Sequence, residues 1–202
     1  MSYIIQLVIL IFSAIVHEVM HGAVAEKFGD DTARLEGRIT LNPIPHIDPF
    51  GSIMLPLVLM LVGSPVILGA AKPVPVNFYN LQPRRLGMVL VSLAGPLSNF
   101  GLAIIFAIIL KTGFFSGFAV TVLIQAVLIN LVLGTFNLIP IPPLDGSKVL
   151  AAFAPEEWMY KILSYERFGF ILVFIFLYLG ILDRVLVPVI LWFSRLLGIN
   201  FF

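Results

Sequence analysis

The fold is decided by one apolar stretch, YIIQLVILIFSAIVHEVMHGAVA (3–25), which is long enough to cross a membrane and yet carries His17, Glu18 and His21. No small-residue cleavage site follows it, so we interpret it as a retained membrane helix and not as a removed signal. A charged group inside lipid costs on the order of 2.5–3.5 kcal/mol, and such residues normally face the protein interior and serve a function. The stretch therefore predicts a membrane helix with a functional site in it.

The composition of the whole chain is also that of a membrane protein. Of its 202 residues, 60% are apolar and 11% are charged, whereas a soluble domain averages about 45–50% and about 25%. The mean hydropathy of +1.08 indicates more apolar residues than the interior of a soluble domain of 22.3 kDa could bury. A net charge of +1 offers no basic face to nucleic acid. The absence of cysteine excludes disulfides, thiolate metal sites and cysteine nucleophiles.

Further apolar runs predict the architecture. They lie near 51–71, 86–110, 115–139, 168–182 and 185–202. We therefore expect an all-α polytopic membrane protein of about five to six membrane segments, forming a single membrane-embedded domain over 1–202. Within the run at 86–110, Gly95 and Gly101 are expected to permit close helix packing.

Two parts of the chain are expected to depart from simple membrane helices. Turn residues in 26–50 and the paired prolines of 72–77 predict a small strand and re-entrant insertion over 26–85, with a short strand at 38–41. Residues 155–202 are expected to begin with an interfacial amphipathic helix and to end in membrane helices.

The positions of Lys and Arg predict the orientation. If 51–71 re-enters the membrane, nine of the twelve basic residues lie on one face, whereas full crossing divides them six and six. Pro56, Gly63 and Pro65 interrupt this segment where a re-entrant turn would need it. We therefore expect the N-terminus outside and the nine-charge face in the cytoplasm.

The sequence His17-Glu18-Val19-Met20-His21 is an HExxH motif. Residues four apart lie on one side of a helix, so both imidazoles can bind one Zn²⁺ at about 2.0–2.1 Å with Glu18 beside the remaining coordination site. Catalytic zinc usually has three protein ligands and a water. Asp145 is the best third ligand, because the prolines before it end a long apolar run and allow the chain to turn.

Three other polar residues leave their roles open. Asn137 is either a cap at a helix end or a donor to the substrate. Asn99 is either a buried amide that bridges helices or a substrate contact. His46 is more typical of a structural loop histidine than of a group that gates the substrate.

The segments HEVMHG (17–22), AGPLSN (94–99) and NLIPIPPLDG (137–146) together resemble the site-2 protease family of intramembrane zinc metalloproteases. The resemblance implies that Glu18 is the general base and that Asn137 lies near the substrate or its oxyanion. It also implies one zinc ion per chain, held by His17, His21 and Asp145. Met20 and Ser147 depart from the pattern of many members, although neither is a ligand. The length leaves no room for an appended PDZ or CBS domain.

The predicted function is a zinc metalloendopeptidase that cleaves transmembrane or membrane-proximal peptide bonds, as in regulated intramembrane proteolysis. Its partners would be the lipid bilayer and a transmembrane or membrane-anchored protein substrate, in the cell membrane of a prokaryote. The alternative is a membrane protein that binds or transports a metal without hydrolysis. A helical substrate must unwind before cleavage, and 38–41 and 73–77 are candidate edges for strand pairing. The sequence does not indicate the oligomeric state.

Overall fold

The structure is a computed structural model that describes residues 2–48, 54, 57, 58, 61 and 72–199. Within these residues the regular structure is helical, without a β-strand. The helices, numbered here in chain order, are α1 (Ser2–Lys27), α2 (Thr32–Leu35), α3 (Arg84–Lys111), α4 (Phe118–Asn137), α5 (Asp145–Phe153), α6 (Glu156–Ser164), α7 (Glu166–Tyr178) and α8 (Asp183–Leu197), with a 3-10 turn at Ile44–His46.

Three of the described helices are long and apolar enough to cross a membrane, namely Tyr3–Lys27 of α1, α3 and α4. The C-terminal helices α7 and α8 have 13 and 15 residues, fewer than the roughly 20 that a spanning helix needs. The expectation of an all-helical membrane protein is thus confirmed, while five to six crossings remain a prediction. The re-entrant segment predicted at 51–71 lies, apart from four positions, outside the described residues.

The strand predicted at 38–41 is wrong, because Arg38 has no regular structure and residues 39–41 form bends. The reason lies in Arg38, whose side chain is buried and donates to the carbonyl oxygens of Lys72 and Pro73 at 2.8 and 3.1 Å. The carbonyl of Thr40 accepts from Nε2 of His46 at 2.8 Å. Side-chain hydrogen bonds thus replace the backbone pairing that alternation alone would suggest.

Asp30 fixes the 72–77 segment against the end of α1. Its fully buried carboxylate accepts from the backbone N–H of Asn77 at 2.6 Å, from the amide of Asn80 at 2.9 Å and from the Thr32 hydroxyl. Burial alone would raise the pKa of Asp30, but these donors outweigh it and hold the pKa below its ordinary value. The segment is therefore anchored by Arg38 on one part and by Asp30 on another.

The turn between α4 and α5 brings Asp145 back towards α1. Gly146 lets the first turn of α5 lie directly on the preceding backbone, since an added Cβ would stand 2.7 Å from the carbonyl carbon of Ile139. The N–H of Leu144 donates to the carbonyl of Ile141 at 2.9 Å and closes the turn. Asp145 consequently begins α5 in a buried position.

Candidate metal centre

Three ligand atoms from distant parts of the chain meet at one point. Nε2 of His17 and Nε2 of His21 are 3.0 Å apart, and each lies 3.1 Å from Oδ2 of Asp145. All three side chains are buried. The HExxH helix and the turn before α5 therefore bring together the three residues that the sequence indicated.

The imidazoles are oriented from behind by α3. Nδ1 of His17 is 2.6 Å from Oδ1 of Asn99, and Nδ1 of His21 is 2.7 Å from the carbonyl oxygen of Val91. A carbonyl oxygen only accepts hydrogen bonds, so each Nδ1 carries the proton and each Nε2 is left with a lone pair. Three acceptors then face one another, which is the arrangement that a cation requires.

The residues fit a zinc ion. Ligands at about 2.0–2.1 Å from zinc in tetrahedral geometry lie about 3.3 Å from one another, close to the 3.0–3.1 Å that separate these three atoms. Two imidazoles and one carboxylate are also the donor set of known catalytic zinc sites.

Gly95 of α3 lies against the two imidazoles. A Cβ at this position would stand 2.5 Å from Nε2 of His17 and nearer still to Nε2 of His21. Real Cβ atoms essentially never approach other atoms so closely. The backbone of α3 therefore reaches the metal centre only because residue 95 has no side chain.

Glu18 stands beside the centre and is held by the 72–77 segment. Its Oε2 accepts the backbone N–H of Val74 at 2.7 Å. Glu18 and Val74 line a cavity of about 620 Å³ together with the three candidate ligands. This places a carboxylate where it can exchange protons with a molecule in the cavity.

Comparison with known proteins relates the chain to proteins named as zinc metalloproteases. The model of peptidase family M50 matches residues 114–181. YwhC of Bacillus subtilis is 41% identical over 85% of this chain and 78% of its own length. MJ0611 of Methanocaldococcus jannaschii is 32% identical over 86% and 82%, and Rip2 of Mycobacterium tuberculosis is 29% identical over 93% and 72%. All three carry the name "Putative zinc metalloprotease". No solved structure matches significantly.

The chain belongs to peptidase family M50, the site-2 protease family. The resemblance seen in the three motifs is thereby confirmed. In this M50 peptidase the HExxH residues lie in a helix that is long and apolar enough to span a membrane.

Asn137, the remaining predicted site residue of this M50 peptidase, lines the same cavity. Its amide donates to the carbonyl of Leu133, one turn earlier in α4, at 3.0 Å. Asn99 is fully buried and bridges helices, the first of its two open roles, and it also contacts a candidate ligand. His46 is buried in the 3-10 turn Ile44–His46, where its Nε2 bonds the carbonyl of Thr40, as a structural histidine would.

Sequence reasoning missed two charged residues of the cavity. Lys148 places its ammonium 3.3 Å from Oδ1 of Asp145, and Glu166 lines the cavity at the start of α7. Burial by itself would lower the pKa of Lys148, but the attraction of Asp145, Glu166 and Glu18 outweighs it and raises the pKa. The position of Lys148, one helical turn after Asp145, was a signal that the sequence offered.

Proposed function

We propose that this M50 peptidase is a zinc metalloendopeptidase that cleaves transmembrane or membrane-anchored proteins within or beside the membrane, as in regulated intramembrane proteolysis. The observation that carries the proposal is the convergence of three buried lone pairs from His17, His21 and Asp145 on one point, with Glu18 in the adjoining cavity. These three residues would hold one zinc ion per chain.

Each group at the site has a separate role in the proposed hydrolysis. Zinc bound there would act as a Lewis acid that lowers the pKa of water towards about 7 and polarises a peptide carbonyl. Glu18 takes the proton of the attacking water and delivers it to the leaving amine. Asn137 can donate to the developing oxyanion, and one such donor typically contributes about 10²–10³ in rate.

The 72–77 segment is the proposed edge on which the substrate unwinds. Its backbone hydrogen bonds alternate in direction, as in an extended strand. The N–H of Val74 donates to Glu18 on the cavity side. On the other side the carbonyl of Pro73 accepts from Arg38, and the N–H of Asn77 donates to Asp30. Val74 and Val76 line the cavity. An extended stretch of substrate can pair with these two residues and so replace the hydrogen bonds that it loses on leaving its helix.

Replacing residues 73–77 by a helix-forming sequence is expected to abolish cleavage and to leave zinc binding intact, because the edge is lost while the ligands stay in place. The measurement is cleavage of a synthetic transmembrane peptide together with zinc content. The matched control is the same replacement at 112–116, which lies between α3 and α4 away from the cavity. Normal cleavage by the 73–77 variant would eliminate this role.

The zinc site itself is tested by Asp145→Ala. We expect bound zinc to fall from about one equivalent to near zero and cleavage of the peptide to be lost with it, since two imidazoles alone do not complete a catalytic site. Asp31→Ala is the control, because Asp31 is exposed and does not line the cavity. An Asp145→Ala protein that keeps zinc and cleaves the peptide would overturn the proposal.

We also propose a multi-pass protein of a prokaryotic cell membrane with the metal centre towards the cytoplasmic, nine-charge face. The end of α1 and the start of α3 support a shared face, since the carbonyl of Phe28 accepts from the N–H of Gln82 at 2.8 Å. Lys111, one of the three basic residues predicted on the other face, lies beside Gly198 at the end of α8, where an added Cβ would be 3.2 Å from its Nζ.

A further inference from the structure

A chain of buried amides runs behind His17, away from the cavity. Asn99 of α3 and Asn130 of α4 are both 0% exposed, and Ser13 of α1 is 3% exposed. The amide of Asn99 donates to Oδ1 of Asn130 at 3.0 Å and to the carbonyl of Ser13 at 3.2 Å. The amide of Asn130 donates to the hydroxyl of Ser13 and to the carbonyl of Ala126, both at 2.9 Å.

Backbone carbonyls fix the direction of every bond in this chain. The carbonyl of Ala126 can only accept, so it holds the NH₂ group of Asn130 and turns Oδ1 of Asn130 towards Asn99. The carbonyl of Ser13 and that oxygen together hold the NH₂ group of Asn99. Oδ1 of Asn99 is thereby left facing Nδ1 of His17 at 2.6 Å.

We propose that Asn130 is a positioning residue for the metal centre, acting through Asn99 on His17. Asn130 has no hydrogen bond to any of the three candidate ligands and does not line the cavity. It orients the amide of Asn99, whose oxygen keeps the proton on Nδ1 of His17 and so leaves Nε2 of His17 free to bind metal. The inference rests on the proposed zinc site and adds to it a residue of α4 that no motif indicates.

The two imidazoles differ in how they are held. His21 is oriented by a backbone carbonyl, that of Val91. His17 is oriented by side chains that belong to two further helices. Because the amide chain joins α1, α3 and α4, His17 is ready to bind metal only when these three helices are packed together.

The test is titration of the purified full chain with Zn²⁺ against a chromophoric chelator. Asn130→Leu is expected to weaken zinc affinity about 10-fold, within the 10–100-fold typical of groups that orient a ligand. Thr135→Val is the matched control on the same helix, since Thr135 is buried and its hydroxyl has no hydrogen-bond partner. The control should bind zinc as the wild type does. Asn130→Asp keeps an oxygen for Asn99 and should restore part of the affinity.

The Co²⁺-loaded protein gives a second measurement that a general loss of stability would not change. Its visible absorption bands report ligand geometry, and they should shift in Asn130→Leu and stay unchanged in Thr135→Val. Wild-type affinity and spectrum in Asn130→Leu, or equal weakening in both variants, would overturn the inference. If the leucine variant does not fold, Asn130→Ala is judged by the same criteria. A wild type that binds no zinc would instead refute the proposed function.

Discussion

Alanine at position 95 is expected to abolish zinc binding and, with it, all peptidase activity. The new Cβ would occupy space 2.5 Å from Nε2 of His17 and even closer to Nε2 of His21. Neither imidazole can move aside freely, because Asn99 and the carbonyl of Val91 hold their Nδ1 atoms from the same helix. The methyl group therefore competes directly with the metal for the point where the ligands converge.

The matched control for Gly95→Ala is Gly101→Ala in the same helix. An added Cβ at Gly101 meets no described atom within 4 Å, and both substitutions favour the helix by about 1 kcal/mol. Both purified variants should therefore unfold at similar temperatures. Gly101→Ala should contain as much zinc as the wild type, whereas Gly95→Ala should contain none. A Gly95→Ala protein that binds zinc with wild-type affinity would show that the site lies elsewhere.

Glu18→Gln is expected to lower the cleavage rate by about 10²–10⁴ while zinc content stays at the wild-type level. Glutamine keeps an oxygen that can accept the N–H of Val74, so the local structure should persist. It cannot, however, take a proton from water. Single-turnover cleavage of the synthetic transmembrane peptide, with zinc measured in the same sample, separates these effects.

Glu36→Gln is the control for Glu18→Gln, because Glu36 is exposed and lies outside the cavity. The pair of variants also separates the proposed peptidase from a protein that stores or transports a metal. In the latter case Glu18→Gln would keep its metal and change no other property. Undiminished cleavage by Glu18→Gln would remove Glu18 from the proposed chemistry.

The core of the site could be predicted because its signals are local. The four-residue spacing of His17 and His21 follows from helix geometry, and the prolines before Asp145 indicate a turn at the end of an apolar run. The structure brings these three residues together as expected. Gly95 was expected to serve helix packing, but its proximity to the imidazoles could be seen only in three dimensions.

Other features escaped prediction because they depend on contacts between distant residues. The bond from Val74 to Glu18 spans 56 positions and that from Asn130 to Ser13 spans 117. The strand expected at 38–41 failed for the same reason, since the guanidinium of Arg38 binds carbonyls that lie 34 and 35 positions away. Periodicity reports which face of an element is buried and carries no information about such partners.

The hydrogen bond between Val74 and Glu18 has a consequence for the idle enzyme. One N–H donates well to one acceptor, so a peptide carbonyl that pairs with Val74 must displace the Glu18 carboxylate. Binding of the peptide carbonyl to Val74 would then release the Glu18 carboxylate in the same step. If the substrate pairs with Val74 as proposed, the Glu18 carboxylate stays bound to the 72–77 segment until a peptide takes its place.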